Sequence, residues 1–293
     1  MKILVTGGTG FIGSHTVVEL QQCGFEVVIA DNLSNSFENV VDAIQQITGI
    51  RPAFVNTDIS SAEQTIRLFE KHNDIEGVIH FAAFKAVGES SQLPLKYYHN
   101  NLFSLVNLLM VMQENKVNNL VFSSSCTVYG QPDELPVDEQ SPVKKALSPY
   151  GNTKQISEEI VYDIVKTSNL NALLLRYFNP IGAHESALIG ELPIGVPNNL
   201  VPYITQTAMG KRSYLSVYGK DYDTPDGTCV RDYIHVVDLS KAHVVALNRL
   251  LRKENQSNCE IFNLGTGKGY SVLEVIKSFE KISNIKLPYK IVD

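Results

Sequence analysis

Tyr150 and Lys154 stand four positions apart in Ser148-Pro149-Tyr150-Gly151-Asn152-Thr153-Lys154, a phenol and an ammonium that a helix brings onto one face. A free tyrosine holds its proton to a pKa of about 10, and a neighbouring cation favours the phenolate and draws that value toward neutrality. Tyr150 is therefore a candidate general base, with Lys154 as the cation that would keep it ionised. Such pairs also arise by chance on solvated helix faces, so the weight of this one comes from its company. A glycine-rich turn opens the chain, a serine run occupies Ser123-Ser124-Ser125, and the C-terminal third is polar.

The elements that must position this pair follow from hydrophobic patterning. Lys2 to Thr6 reads as a short strand entering Gly7-Gly8-Thr9-Gly10-Phe11-Ile12-Gly13, with a helix continuing toward Gly24. A strand, glycine turn and helix start let the backbone approach a pyrophosphate, whose charge then rests on free N–H groups. The spacing Gly7, Gly10, Gly13 departs from G-x-G-x-x-G. A second strand ends at Asp31, where a carboxylate meets an adenosine ribose and repels a 2′-phosphate. No Arg or Lys follows until Arg51, which favours NAD over NADP. Asn32, Asn35 and Ser36 are candidate polar contacts or simply a polar loop.

Alternation then continues: a helix near 40–48, a strand near 53–55, a helix over 62–71 and a strand over 77–81. Strands alternating with helices imply an α/β fold, a doubly wound parallel sheet of the Rossmann type, whose ligand crevice lies beyond the strand C-termini. Asp58, Phe81, Ala82 and Lys85 should fall there, Lys85 either near a phosphate or as an ordinary solvated lysine. The helix expected over 94–114 is apolar on more than one face and offers surplus surface for self-association. A strand over 119–122 delivers the serines to the crevice edge, where one of them can hydrogen-bond a reacting hydroxyl. A proline-bearing loop over 131–149 leads into the Tyr150 helix, and a sixth strand covers 172–177. Beyond it regular alternation lapses. We expect an NAD-binding domain over 1–178 and a smaller substrate domain over 179–293, with parts near 235–265 packing back on the first. Gly265-Thr266-Gly267-Lys268-Gly269 lacks the P-loop pattern, and Ser271 with Glu274 reads as a capping box, so this stretch is expected to be a structural turn.

At 293 residues and 44% hydrophobic content the chain suffices for one large α/β domain and a smaller partner. A formal net charge of -6 without a basic run argues against nucleic acid or an anionic membrane as partner. Cys23, Cys126, Cys229 and Cys259 are scattered, and neither they nor the seven histidines show metal-ligand spacing. No metal is expected. The N-terminus enters a glycine turn at once and no run of about 18 apolar residues occurs, so a cytoplasmic protein is expected.

The sequence resembles the extended short-chain dehydrogenase/reductase family along essentially its whole length. The motifs that carry the likeness are Thr6-Gly7-Gly8-Thr9-Gly10-Phe11-Ile12-Gly13-Ser14-His15, Asp31-Asn32-Leu33-Ser34-Asn35-Ser36, His80-Phe81-Ala82-Ala83-Phe84-Lys85-Ala86-Val87, the Tyr150 segment, Arg176-Tyr177-Phe178-Asn179-Pro180, Pro197-Asn198-Asn199-Leu200 and Val230-Arg231-Asp232-Tyr233-Ile234-His235-Val236. Within the family they resemble the branch that inverts C4 of UDP-hexoses. The resemblance implies a cytoplasmic homodimer with tightly held NAD that interconverts UDP-glucose and UDP-galactose through a 4-keto intermediate.

Carried over by position, it implies that Gly7, Gly10, Phe11, Ile12, Asp31, Asn32, Asn35, Ser36, Asp58, Ile59, Phe81, Ala82, Lys85, Asn100, Lys154 and Phe178 hold NAD. Ser125, Tyr150 and Lys154 would be catalytic. Asn179, Asn199, Leu200, Tyr218 and Arg231 would grip UDP, an arginine offering a rigid donor fork to the diphosphate. Family members continue past the point matching Asp293, so a shortened UDP site and weaker substrate binding are expected. The alternatives are a UDP-GlcNAc or UDP-glucuronate 4-epimerase, or a non-catalytic NAD-binding protein or fragment. Dehydration is disfavoured, since Cys126 and Thr127 follow Ser125 where related dehydratases carry acidic residues.

Overall fold

The first strand, Lys2–Thr6 (β1), carries Ile3, Leu4 and Val5, all fully buried. An unbroken apolar run of this kind suits a strand covered on both faces. In the computed structural model, which describes residues 1–292, successive residues feed two different cores. Ile3 and Val5 join one cluster with Val17, Val41 and Leu247, while Leu4 joins the other with Leu68, Leu105 and Val161. The twofold alternation of a strand thus divides its side chains between two layers of helices.

In chain order, β1 is followed by Phe11–Gln22 (α1), Glu26–Asp31 (β2), Asn39–Thr48 (α2), Ala53–Asn56 (β3), Ala62–Lys71 (α3), Ile75–His80 (β4), Val87–Gln92 (α4), Pro94–Glu114 (α5) and Asn119–Ser125 (β5). A 3-10 turn at Cys126–Tyr129 then leads through the proline-bearing loop to Pro149–Thr167 (α6) and Asn171–Tyr177 (β6). The remaining elements are Asn179–Ile181 (β7), Leu200–Ala208 (α7), Leu215–Tyr218 (β8), Val230–His235 (β9), Val236–Leu251 (α8), Cys259–Leu264 (β10), Gly269–Ser271 (β11), Val272–Ser283 (α9) and Tyr289–Val292 (β12).

Seven strands form one parallel sheet in the order β10-β6-β5-β4-β1-β2-β3. The fold is a Rossmann-like doubly wound α/β sheet. Chain order reverses between β1 and β4, and the ligand crevice of such a sheet opens there, outside the strand C-termini. Helices α1, α2 and α8 lie with the first cluster and α3, α5 and α6 with the second. The C-terminal third adds a three-stranded sheet β11-β9-β7, a pair β12-β8, and a small cluster of its own in which Ile204, Val217, Ile276 and Leu287 are buried.

One departure from the sequence reading bears on the site. β5 continues past Phe122 to Ser125, because Ser123, Ser124 and Ser125 pair in register with Leu175, Arg176 and Tyr177 of β6. The serines are therefore strand residues with fixed directions, alternate ones facing opposite sides of the sheet. The stretch after Leu264 is a structural turn, as expected. The Asp232 carboxylate accepts hydrogen bonds from the Thr266 and Gly267 N–H groups and the Thr266 hydroxyl, leaving those donors occupied.

Candidate active site

Glycine shapes the crevice floor. Gly7 has a left-handed φ of +71°, and a Cβ there would lie 2.8 Å from the Ala82 nitrogen, so β1 and the segment after β4 approach each other only through glycine. At Gly13 a Cβ would stand 2.2 Å from the Gly7 carbonyl oxygen. Helix α1 has Gly10 as its N-cap residue and no side-chain cap, so its first N–H groups are available to an anion. Phe11 and Ile12 form the first turn of that helix.

Asp31 is buried at the end of β2 and accepts hydrogen bonds from the Leu33 and Thr9 backbone N–H groups at 2.9 and 3.2 Å and from the Ser36 hydroxyl at 3.2 Å. Ser36 also bonds Thr9 at 2.7 Å. The carboxylate is thus oriented from both sides at the C-terminal end of β2, on the edge of the crevice. Asn32 closes a local turn onto Ser34, and Asn32 and Asn35 are both exposed. Asp58 follows β3 and binds Ser60 through its carboxylate. The Ile59 side chain is buried in the core beside Leu68, and its carbonyl accepts from Thr65 and Asn107. Phe81 and Ala82 follow β4, hydrogen-bonded to the Thr6 carbonyl and hydroxyl.

The glycine cradle, the uncapped α1 start and the placed Asp31 fit a dinucleotide. Asn100, on α5, donates to Asn101 at 2.9 Å. Phe178 follows β6, so close to Gly265 that a Cβ there would lie 2.8 Å from its ring.

Helix α6 opens on Ser148, whose hydroxyl accepts from the Gly151 N–H at 3.1 Å, with Pro149 in the first turn. This cap sets where the helix begins and so where Tyr150 and Lys154 point. The Ser125 hydroxyl accepts from both the backbone N–H and the side chain of Thr127, at 3.2 and 3.0 Å, and it lies near enough to the Tyr150 phenol to favour the ionised form of that group. Lys154 is buried; its ammonium donates to the Ser123 carbonyl at 2.5 Å and lies 4.8 Å from the Phe122 ring centroid.

The electrostatics correct the expectation of a phenol drawn toward neutrality by its lysine. Burial pushes the Tyr150 phenol up to about 12, only partly offset by the hydrogen bond from Ser125. Burial also lowers Lys154 to about 8. Desolvation disfavours the charged form of each group and is the largest influence on both.

Asn101 was not singled out in the sequence, yet it bridges the crevice wall. It accepts the Phe84 N–H at 2.9 Å and donates to the Phe84 carbonyl at 3.0 Å and to Thr153 at 3.1 Å, fastening the loop that carries Lys85 to the helix that carries Tyr150. Lys85 itself pairs with Glu191 at 3.1 Å, and Asn199 donates to the same carboxylate at 2.6 Å. Leu200 begins α7 directly after Asn199. Asn179 donates to the Asp232 carbonyl at 3.1 Å from the strand beside Arg231. The Arg231 charge is felt at Cys126, next to Ser125. Tyr218 stands apart, exposed at the end of β8 in the separate two-stranded sheet. Among the described residues no cluster of His, Cys, Asp or Glu could hold a metal.

Residues 3–265 match the model of the NAD dependent epimerase/dehydratase family. The UDP-glucose 4-epimerase of Pasteurella multocida is 52% identical over 100% of this chain and 86% of its own length. The human UDP-glucose 4-epimerase is 51% identical, covering 99% and 84%. Among solved structures, UDP-glucose 4-epimerase from Bifidobacterium longum, crystallised with NAD+ and UDP, superposes with a TM-score of 0.95 at 47% identity, covering 100% of this chain and 86% of that one. A glycine cradle, a buried Asp31 and a Ser125, Tyr150, Lys154 constellation on a doubly wound sheet are thus found in a chain that belongs to the NAD dependent epimerase/dehydratase family.

Proposed function

We propose that this protein interconverts UDP-glucose and UDP-galactose by inverting C4 of the hexose, with NAD as a retained cofactor. The observation that carries the reading is the convergence of Ser125, Tyr150 and Lys154 at the C-terminal end of β5, in the crevice that Gly7 and Asp31 open. When bound, the oxidised nicotinamide supplies a hydride acceptor and a positive charge. Tyr150 takes the proton of the sugar 4-hydroxyl while Ser125 hydrogen-bonds that oxygen. Lys154 stabilises the phenolate. Asn179, Asn199, Leu200, Tyr218 and Arg231 hold UDP while the 4-keto hexose presents its other face, and Tyr150 then returns the proton. Net redox change is zero.

Elimination of water, the other chemistry in the family's name, is less well supported. Cys126 and Thr127 occupy the positions after Ser125; the Cys126 thiol is pushed up to about 11, mainly by burial, and Thr127 is bonded to Ser125. Neither is an acid suited to protonating a leaving hydroxyl. The NAD-binding role is assigned to residues 1–178 and the UDP-binding role to 179–293. A cytoplasmic homodimer completes the reading. Phe103, Val106 and Met110 support it, an exposed apolar stripe at helical spacing on α5 that a second copy would cover. A sedimentation mass of one subunit would remove the dimer.

The activity is tested by incubating the purified chain with UDP-galactose, without added NAD, and following the products by NMR. Formation of UDP-glucose is expected. Unchanged UDP-galactose in a protein that releases NAD on denaturation would refute the epimerase reading and leave a dinucleotide-binding protein.

A further inference from the structure

Tyr150 and Lys154 belong to a longer stripe, because Glu158 follows at the same interval of four on α6. Three residues at i, i+4 and i+8 share one helix face, and this face lies over the ends of β5 and β6. Glu158 is buried there with Arg176. The pair is bidentate, Arg176 Nε to Glu158 Oε1 at 2.9 Å and Arg176 Nη2 to Oε2 at 2.6 Å. Ser124 donates to the same Oε1 at 2.5 Å. Ser124 and Arg176 are direct cross-strand partners, so two adjacent strands converge on one helical carboxylate. The guanidinium is stacked 4.9 Å from the Tyr129 ring centroid, and the Tyr129 hydroxyl donates to Asn263 at 2.7 Å.

We infer that Glu158 is a positioning residue of the epimerase site, tying α6 to Ser124 and Arg176 so that the helix face bearing Tyr150 and Lys154 stays in register with Ser125 and the Ser123 carbonyl. The inference rests on the reading of Tyr150 as base. Pleating turns Ser123 and Ser125 to one face of β5 and Ser124 to the other. Ser123 meets the Tyr177 hydroxyl and Ser125 lies by Tyr150 at the start of α6, while Ser124 reaches the same helix two turns on, through Glu158.

A second consequence is electrostatic. A carboxylate one helical turn from a buried ammonium favours the charged form, and Glu158 is the group that opposes the effect of burial on Lys154. The titratable groups that act on Lys154 directly are Glu158 on α6 and His80 on β4; Arg176 on β6 is paired with Glu158, and the neighbouring phenols Tyr150 and Tyr177 interact with each other and with Ser125 and Ser123. Removing the Glu158 charge leaves the ammonium with less support, so it loses its proton at lower pH.

The test compares NAD-loaded wild type with Glu158→Gln, which keeps an acceptor for Ser124 but loses the charge. With UDP-galactose, kcat is expected to fall at least about tenfold, as expected for a displaced base, with little change in KM. The alkaline limb of kcat should move down by at least about half a pH unit, and Glu158→Asp should restore part of both. Independently of turnover, the Lys154 signal in 13C-lysine NMR, assigned with Lys154→Met, should titrate at lower pH in Glu158→Gln. Should that variant fail to fold, the pair Glu158→Gln/Arg176→Met, which leaves no unpaired guanidinium, is measured in the same way. A folded, NAD-loaded variant with wild-type kcat and an unmoved Lys154 titration overturns the positioning role. An inactive wild type refutes the epimerase reading instead, and the Lys154 titration still decides the role of Glu158.

Discussion

At the residue scale the site is a contest between burial and charge. To serve as the proposed base, Tyr150 must lose a proton in an environment that pushes its phenol up to about 12, so the charge brought close to it decides whether it ionises at neutral pH. Tyr150→Phe removes the proton acceptor and leaves the glycine cradle and Asp31 untouched. We expect kcat to fall at least about 100-fold, the usual weight of a positioned base, with NAD content unchanged. More than a few per cent of wild-type turnover at pH 7 would remove Tyr150 from the role. Gly13→Ala acts on the other half of the site. A methyl group 2.2 Å from the Gly7 carbonyl forces the turn apart, and we expect purified protein depleted of NAD and destabilised by about 2 kcal/mol or more. Wild-type NAD content and melting temperature would show that the turn yields without cost.

At the element scale, the capping box of α9 is complete. The Ser271 hydroxyl accepts from the Glu274 N–H at 3.1 Å, and the Glu274 carboxylate accepts from the Ser271 N–H at 2.7 Å. Ser271→Ala should lower unfolding stability in urea by about 1 kcal/mol; a change within a few tenths would mean that neither the cap nor the hydrogen bond from the Ser271 hydroxyl to Asp226 adds to stability. This box was legible in the sequence because both of its halves are local. So were α3 and α5, whose bounds are those expected, and the parallel sheet, whose apolar runs alternate with helices. Less legible was whatever depends on pairing at a distance. The extension of β5 through three serines is decided by β6, whose partner residues lie 52 positions further along the chain, Ser123 with Leu175 and Ser125 with Tyr177, and serine alone signals a turn.

 The roles of Asn101 and Glu158 were equally hidden, since their partners Phe84, Thr153, Ser124 and Arg176 are distant in sequence or on other elements. The one local trace of Glu158 is its place at the next interval of four after Lys154. Tyr150 and Lys154 were legible as a pair, but the shift of the phenol was not, because spacing reports proximity and says nothing of desolvation.

At the scale of the whole molecule, both helical layers press on buried imidazoles, and this sets how the protein responds to acid. His80 lies at the end of β4, bonded to Thr6 at 2.7 Å, and burial lowers it to about 3. His15 in α1 and His243 in α8 each donate Nδ1–H to the carbonyl four residues earlier, and burial lowers both to about 4. Their Nε2 atoms are buried without a hydrogen-bond partner among the described residues, so a proton added there enters an apolar setting. An unfolded chain binds these protons near pH 6.5. Between that value and about 4 these three residues therefore bind up to three more protons in the unfolded state than in the folded one, and stability falls as pH falls, by about 1.4 kcal/mol per pH unit for each histidine fully engaged. The loss begins below pH 6.5 and is nearly complete by about pH 3 to 4. Urea unfolding at pH 7, 6, 5 and 4.5 should give a midpoint that drops progressively across the series, and His243→Gln, which carries no titrating ring, should flatten the slope by about one proton. A midpoint independent of pH over that range would mean that the three imidazoles find compensating partners when charged, and that burial is not what holds them neutral.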